Sequence, residues 1–108
     1  MHTTEFVHVW AGDIESGLAA ELVERVKETA RQLVESMHGF KNLTVYLDQT
    51  AQGVTRVLVL TEWDDAHQWG RAQWESHVQD HMVWLYSATK NVRTHVYREA
   101  FRYPAGSA

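Results

Sequence analysis

Apolar residues recur along this chain with two different periods, which together predict four strands and three helices. Alternation of apolar and polar residues predicts a strand over residues 42–49, and runs rich in β-forming residues predict strands over residues 6–10, 55–63 and 92–98. A spacing of three and four predicts a long amphipathic helix over residues 17–38. Its buried stripe consists of Leu18, Leu22, Val26, Ala30, Leu33 and Met37.

Turn and capping residues set the predicted boundaries of these elements. Residues 11–13 predict a turn after the first strand, and Ser16 is the predicted N-cap of the long helix, with Gly39 as its stop. Residues 50–53 predict a hairpin connection. Asp64 or Asp65 caps a short helix to about residue 74, and a capping box over residues 76–79 opens another helix to about residue 88.

The element order β-α-β-β-α-α-β predicts an α+β fold of the ferredoxin-like split βαβ type. Four antiparallel strands then form one sheet, with the helices on one face. The third strand is apolar on both sides, so the uncovered face predicts a second subunit and a homodimer. We expect a single domain over residues 1–108, with a core of about residues 5–102 and a loose tail over residues 103–108.

Composition narrows the function classes. The net charge is −4 and no block of Lys and Arg occurs, which argues against nucleic acid or an anionic membrane as a partner. The absence of Cys excludes thiol catalysis and zinc–thiolate sites. No signal peptide or membrane-spanning run is visible, so we expect a cytoplasmic protein.

Residues 63–84 concentrate aromatic and imidazole side chains, with four of the five Trp and three of the seven His. A strand that leads into such helices is suited to lining a pocket for a flat organic ligand. Of these, Trp63, Trp69 and Trp84 are interpreted as packing residues.

From about Phe6 to Phe101 the chain resembles the antibiotic biosynthesis monooxygenase family of dimeric α+β barrels. The resemblance rests on Met37-His38-Gly39-Phe40 after the long helix, on Thr61-Glu62-Trp63 at the end of the third strand, and on the broken helix with Trp74 and His81. It implies a cavity between sheet and helices and a barrel between the sheets of two subunits. Members include oxygenases that oxidise polycyclic phenols without metal or flavin, others that degrade haem, and many of no known activity.

The first strand carries the first candidate site residues. Phe6, His8 and Trp10 share one face, so His8 is a candidate base for a phenolic proton, with Trp10 stacking on the ring. The alternative is that all three pack as core.

The last helix carries the second set of candidates. His77 and His81 lie four residues apart and share a face, so they are candidates for an acid–base pair or for ligation of haem iron. The resemblance also assigns Trp74 to the ligand, and Tyr46 is a further candidate for substrate contact. Haem-degrading members use an Asn on the first strand where this chain has Trp10, and this departure argues against haem.

The leading hypothesis is therefore a small, cofactor-independent oxygenase acting on an aromatic, phenolic or quinol-like metabolite, with His8 and His81 as catalytic residues. Trp10, Trp74, His77 and Tyr46 then bind the substrate, and no metal is needed. The alternatives are a haem-binding or haem-degrading enzyme, a non-oxidative cyclase or isomerase, and a non-enzymatic dimer that binds a small ligand.

Overall fold

The fold is an α+β sandwich of one antiparallel sheet and three helices, as predicted. A computed structural model describes residues 6–104, apart from the side chains of Thr50 and Ala51. The strands are β1 (Phe6–Glu15), β2 (Phe40–Ala51), β3 (Val54–Trp63) and β4 (Thr89–Tyr97), in the sheet order β2-β3-β1-β4. The helices are α1 (Ala19–Ser36), α2 (Ala66–Ala72) and α3 (Ser76–Ala88), with one 3₁₀ turn (Ser16–Leu18) before α1.

Strand β1 is longer than the sequence pattern indicates, and the predicted turn over residues 11–13 is wrong. The strand runs on to Glu15 and pairs with β3 along its whole length. Its pairing with β4 shifts register between Ala11 and Asp13. Gly12 is buried because the ring of Trp10 lies over it, and a Cβ at this position would come within 2.7 Å of Trp10 Cη2. This glycine makes room for a ring instead of a turn.

Two of the predicted helix starts differ in detail from the structure. Ser16 does not cap α1, because its hydroxyl forms a hydrogen bond of 2.8 Å with the hydroxyl of Thr55. The predicted capping box at α3 is wrong, since the N-cap is Glu75 and its side chain makes no capping bond. Asp65 does cap α2, accepting a hydrogen bond of 2.9 Å from the backbone N–H of Gln68.

The end of α1 also departs from the prediction. Met37 is the C-cap in an extended conformation, and Gly39 does not adopt a left-handed backbone. Gly39 is buried, and a Cβ there would lie 2.3 Å from Cγ of Gln68. The glycine therefore allows the start of β2 to approach α2 closely.

The helices cover one face of the sheet and form two packed clusters with it. One cluster contains Trp10, Ile14, Leu22, Val26, Val57 and Leu85. The other contains Phe6, Leu33, Met37, Trp63 and Ala72. The strand register places Phe6, His8 and Trp10 on this covered face, as the alternation predicts.

The opposite face of the sheet carries apolar side chains without a helix over them. Val9, Leu60 and Thr44 are cross-strand neighbours on this open face, and Val9 also pairs with His95 on β4. Tyr46 and Tyr97 are more than half exposed. The sheet face that the sequence predicts to be covered by a second subunit is therefore available for such a contact.

Two further features bear on the predicted organisation. None of the helices within residues 6–104 is long and apolar enough to cross a membrane. Most of the predicted loose tail, residues 103–108, and the first residue of the predicted core lie outside the described part of the chain.

Candidate functional site

A cavity of about 750 Å³ lies between the covered face of the sheet and the helices. Every strand and every helix contributes to it. Its lining is mostly aliphatic and aromatic, and none of the lining side chains is Asp, Glu, Lys or Arg. Pockets for small organic ligands have this size and an apolar lining of this kind. The polar groups in its wall include His8, His81, Thr61, Gln73 and Gln79.

His8 enters this cavity from the centre of the sheet. Its cross-strand neighbours are Thr61 on β3 and Val96 on β4, neither of which is charged. Burial lowers the pKa of His8 below its ordinary value. The imidazole is therefore neutral at pH 7 and has a nitrogen lone pair that can accept a proton.

His81 lines the same cavity from α3. Burial lowers its pKa, and the positive charge of Arg25 on α1 lowers it further. Its Nδ1 atom is buried and has no hydrogen-bond partner among the described residues. The cavity thus contains two neutral imidazoles from different elements, and the sequence had singled out both as bases.

Trp10 forms part of the cavity wall beside His8. It is 3% exposed, and its indole Nε1 is buried without a hydrogen-bond partner in the described chain. Trp63 also lines the cavity, but its indole N–H donates a hydrogen bond of 2.9 Å to the hydroxyl of Thr61. Within the described chain, the indole N–H of Trp63 therefore donates a hydrogen bond, whereas that of Trp10 does not.

Trp69 is a wall residue that the sequence interpretation assigned to packing alone. Its ring centroid lies 5.0 Å from that of His8 and 5.3 Å from that of Phe6. The sequence carries no local signal for this position, because the inward face of α2 is recognised from the burial of Ala72, three residues after Trp69, and only the structure shows that burial.

Three of the predicted substrate-binding residues lie outside the cavity lining. Trp74 follows the end of α2 and is 80% exposed. Tyr46 is on the open face of the sheet, across from Leu58. His77 is mostly buried, but neither ring nitrogen has a hydrogen-bond partner within residues 6–104. Its Nε2 is 3.7 Å from Glu75 Oε1, beyond hydrogen-bonding distance. The structure thus brings His8, His81 and Trp10 together and separates Trp74, Tyr46 and His77 from them.

The residues of this cavity do not fit haem. A haem group carries two propionates, and no lysine or arginine in the lining is available to pair with them. Among residues 6–104, no group of three or more His, Asp or Glu side chains is placed to hold a metal ion. The cavity is suited to an uncharged organic molecule.

Residues 6–84 match the sequence model of the family described as antibiotic biosynthesis monooxygenase. The chain belongs to this family. The match covers β1 to most of α3 and so includes both cavity imidazoles and Trp69. None of the curated proteins compared with the chain matches it significantly.

Solved structures of low sequence identity share the fold of this family member. A putative antibiotic biosynthesis monooxygenase from Nitrosomonas europaea superimposes with a TM-score of 0.76 at 9% identity, covering 98% of each chain. One from Bacillus cereus gives 0.69 at 20% identity, covering 95% of this chain and 100% of the other. SnoaB from Streptomyces nogalater, a cofactor-independent oxygenase, gives 0.69 at 16% identity, covering 93% and 98%.

Proposed function

We propose that this protein is a small oxygenase that oxidises an uncharged phenolic or quinol-like metabolite without a cofactor. The observation that carries this proposal is the cavity of about 750 Å³, whose lining places two neutral imidazoles among apolar side chains and no formal charge. SnoaB, a cofactor-independent oxygenase, shares the fold and so supports the absence of a cofactor in this proposal. His8 and His81 are the proposed catalytic residues, and Trp10 contacts the substrate ring.

The proposed reaction begins with proton transfer from a phenol to His8 or His81. The resulting phenolate is electron-rich and donates one electron to dioxygen. The two radicals combine at the ring carbon para to the phenolate oxygen, forming a C–O bond and a peroxide anion. The imidazolium returns its proton to this anion, which becomes a hydroperoxide. Loss of the proton from this carbon and cleavage of the O–O bond release water and leave a quinone carbonyl. One dioxygen is consumed for each quinone and each water formed.

The cavity supports each of these steps through its composition. A neutral imidazole accepts the phenolic proton at pH 7, whereas an imidazolium does not. Apolar walls exclude water, which otherwise hydrates the phenolate and intercepts the reactive intermediates. The substrate itself supplies the electrons, so the protein's roles are binding, deprotonation and exclusion of solvent.

Oxygen uptake with 1,5-dihydroxynaphthalene tests this proposal. We expect protein-dependent formation of 5-hydroxy-1,4-naphthoquinone with one dioxygen per quinone, and one ¹⁸O atom in the product under ¹⁸O₂. General base catalysis contributes roughly 10²- to 10⁴-fold. The variants His8→Gln and His81→Gln should therefore show which imidazole acts by losing about this factor. His38→Gln, at an exposed position, is the matched control.

The outcomes separate the remaining function classes. Turnover under anaerobic conditions would support a cyclase or isomerase instead. Thermal stabilisation by the naphthalenediol with no product in air would support a binding protein. If oxygen uptake in the double variant His8→Gln/His81→Gln equals that of the unaltered protein, the cavity imidazoles are not the bases.

We also propose that the protein is a homodimer formed through the open face of the sheet. Val9 and Leu60 are neighbours at the centre of this face, and an uncovered apolar sheet surface is an association site. Sedimentation should show a dimer that Leu60→Glu converts to monomer. Val34→Glu places the same charge on α1, at a residue that is 66% exposed, and should leave the dimer intact. A monomeric unaltered protein would contradict this proposal.

A further inference from the structure

The described aromatic contact of His8 is the ring of Trp69, which packs against the imidazole at a tilt. The two ring centroids are 5.0 Å apart, and the ring planes are inclined by 34°. Phe6 lies against the same indole, with centroids 5.3 Å apart and an inclination of 42°. The indole is thus held between two residues of the same face of β1.

Among the residues that the structure describes, none is a polar partner for His8 of the kind that usually orients a catalytic imidazole. In catalytic triads a carboxylate holds the base by a hydrogen bond to the second ring nitrogen. No hydrogen bond joins the His8 ring to any of residues 6–104. Within this part of the chain no polar group fixes the plane of the imidazole, which is held by packing.

The groups that face His8 carry no formal charge. On β1 its same-face neighbours are Phe6 and Trp10, and across the sheet they are Thr61 and Val96. From α2 comes Trp69, and the other titratable side chains in the cavity lining are His81 and Tyr86. His95 also borders the cavity, but its pairing with Val9 places its side chain on the open face of the sheet. The charge that appears on His8 when it takes a proton therefore meets no carboxylate in the wall.

The face of the Trp69 indole can both orient the His8 ring and attract its positive charge, the two tasks for which the cavity wall has no carboxylate. The negative face of the ring attracts a cation within about 6 Å of its centroid, and tryptophan does so most strongly among the aromatic residues. The attraction grows when both groups are shielded from water. An indole packed against the imidazole also restricts the rotation of the imidazole ring.

We infer that Trp69 is a positioning residue for His8, holding the imidazole in one plane and stabilising the imidazolium that forms when His8 accepts the substrate's proton. This role rests on the proposed function of His8 as a base. It gives α2 a specific part in the site, because the Asp65 cap and the Phe6 contact both fix the helix that carries the indole.

The test replaces Trp69 by 5,7-difluorotryptophan, incorporated at this position alone. Fluorine withdraws electrons from the ring face at nearly constant size, so the fold and the burial of His8 are retained. The protonation constant of His8, followed by NMR of its imidazole and assigned with His8→Gln, should fall by about threefold or more. The protonation constant that defines the acid limb of the pH profile of kcat/KM should fall by the same factor, which moves this limb to lower pH.

Two controls separate this role from general packing. The same fluorinated residue at position 74, which is 80% exposed, should change neither measurement. Phe6→Leu removes the ring behind the indole and should lower stability, while the protonation constant of His8 stays within twofold.

Three results decide the matter. If the protonation constant is unchanged by fluorination at position 69, Trp69 does not stabilise the imidazolium and the inference fails. If the constant falls but kcat/KM does not follow it, Trp69 acts on His8 but His8 is not the base. If the protonation constant falls but neither the unaltered protein nor any variant consumes oxygen, the role of Trp69 towards His8 stands and the proposed oxygenase function fails.

Discussion

Replacement of Gly12 by alanine should disturb the cavity wall through Trp10. A Cβ at position 12 would lie 2.7 Å from Cη2 of Trp10, 3.1 Å from Cζ2 and 3.4 Å from Cζ3. Carbon atoms in favourable contact are about 3.5–4.0 Å apart, so the ring has to move by roughly 1 Å. Trp10 is 3% exposed and packed among core residues, which leaves it no free direction except towards the cavity.

Two opposing terms set the size of this effect. Alanine restricts the unfolded chain more than glycine does, which stabilises the folded state by about 0.4–1 kcal/mol when the backbone conformation is compatible. Gly12 has no positive φ, so this gain applies. Overpacking of a close-packed core costs about 1–3 kcal/mol. We therefore expect a net loss of about 1–2 kcal/mol in the free energy of unfolding for Gly12→Ala.

A double-mutant cycle in urea at fixed protein concentration measures the cause directly. Phenylalanine at position 10 lacks the three ring atoms that meet the new methyl group. In the Trp10→Phe background, Gly12→Ala should then be neutral or stabilising by up to about 1 kcal/mol, a coupling of roughly 2 kcal/mol. Gly70→Ala, with no atom within 4 Å of the new Cβ, should stabilise by up to about 1 kcal/mol. An equal penalty for Gly12→Ala in both backgrounds would refute the reasoning.

The remaining predictions concern pH and helix capping. Burial holds the folded pKa of both His8 and His81 below the unfolded value of 6.5, so their neutral forms contribute stability that is fully present above pH 6.5 and lost as the pH falls through the folded pKa. Urea unfolding between pH 7.5 and 5 should show this loss of stability, and the loss should be smaller in the variant His8→Gln/His81→Gln. An equal loss in that variant would assign the pH dependence of stability to other groups. Asp65→Ala removes the bond from the N–H of Gln68 and should cost about 1 kcal/mol, whereas Glu75→Ala, at an N-cap without a side-chain bond, should cost less than about 0.5 kcal/mol. Equal losses in these two variants would contradict the assigned cap.

Local pattern was sufficient for the elements and for the orientation of the first strand. The alternation over Phe6, His8 and Trp10 reflects the two-residue period of a strand, and the structure keeps all three on the covered face. The predicted turn at Gly12, directly after the first strand, was wrong. Glycine is equally compatible with a turn and with a close approach of a ring, and the choice depends on Trp10, which only the folded packing brings over it.

Some residues of the candidate site could likewise be predicted from the sequence, and others only from the folded structure. His8 and His81 could be named from residue chemistry and helix spacing, and the cavity contains both. The choice between Trp69 and Trp74 could not be made locally, because the two lie five residues apart and would be about 140° apart on a continuous helix. The end of α2 at Ala72 and the packing of Phe6 decide that Trp69 faces His8 while Trp74 faces solvent.

The sequence by itself determined the α+β fold, the family and the two imidazoles, because periodicity and residue chemistry are properties of neighbouring positions along the chain. Only the tertiary structure decided that His8 has an indole for a partner and an uncharged cavity around it. Those contacts join β1 to α2 across some sixty residues, and they depend on how the helices close over the sheet. The physical character of the candidate site, a neutral imidazole in an apolar space, is therefore a consequence of packing.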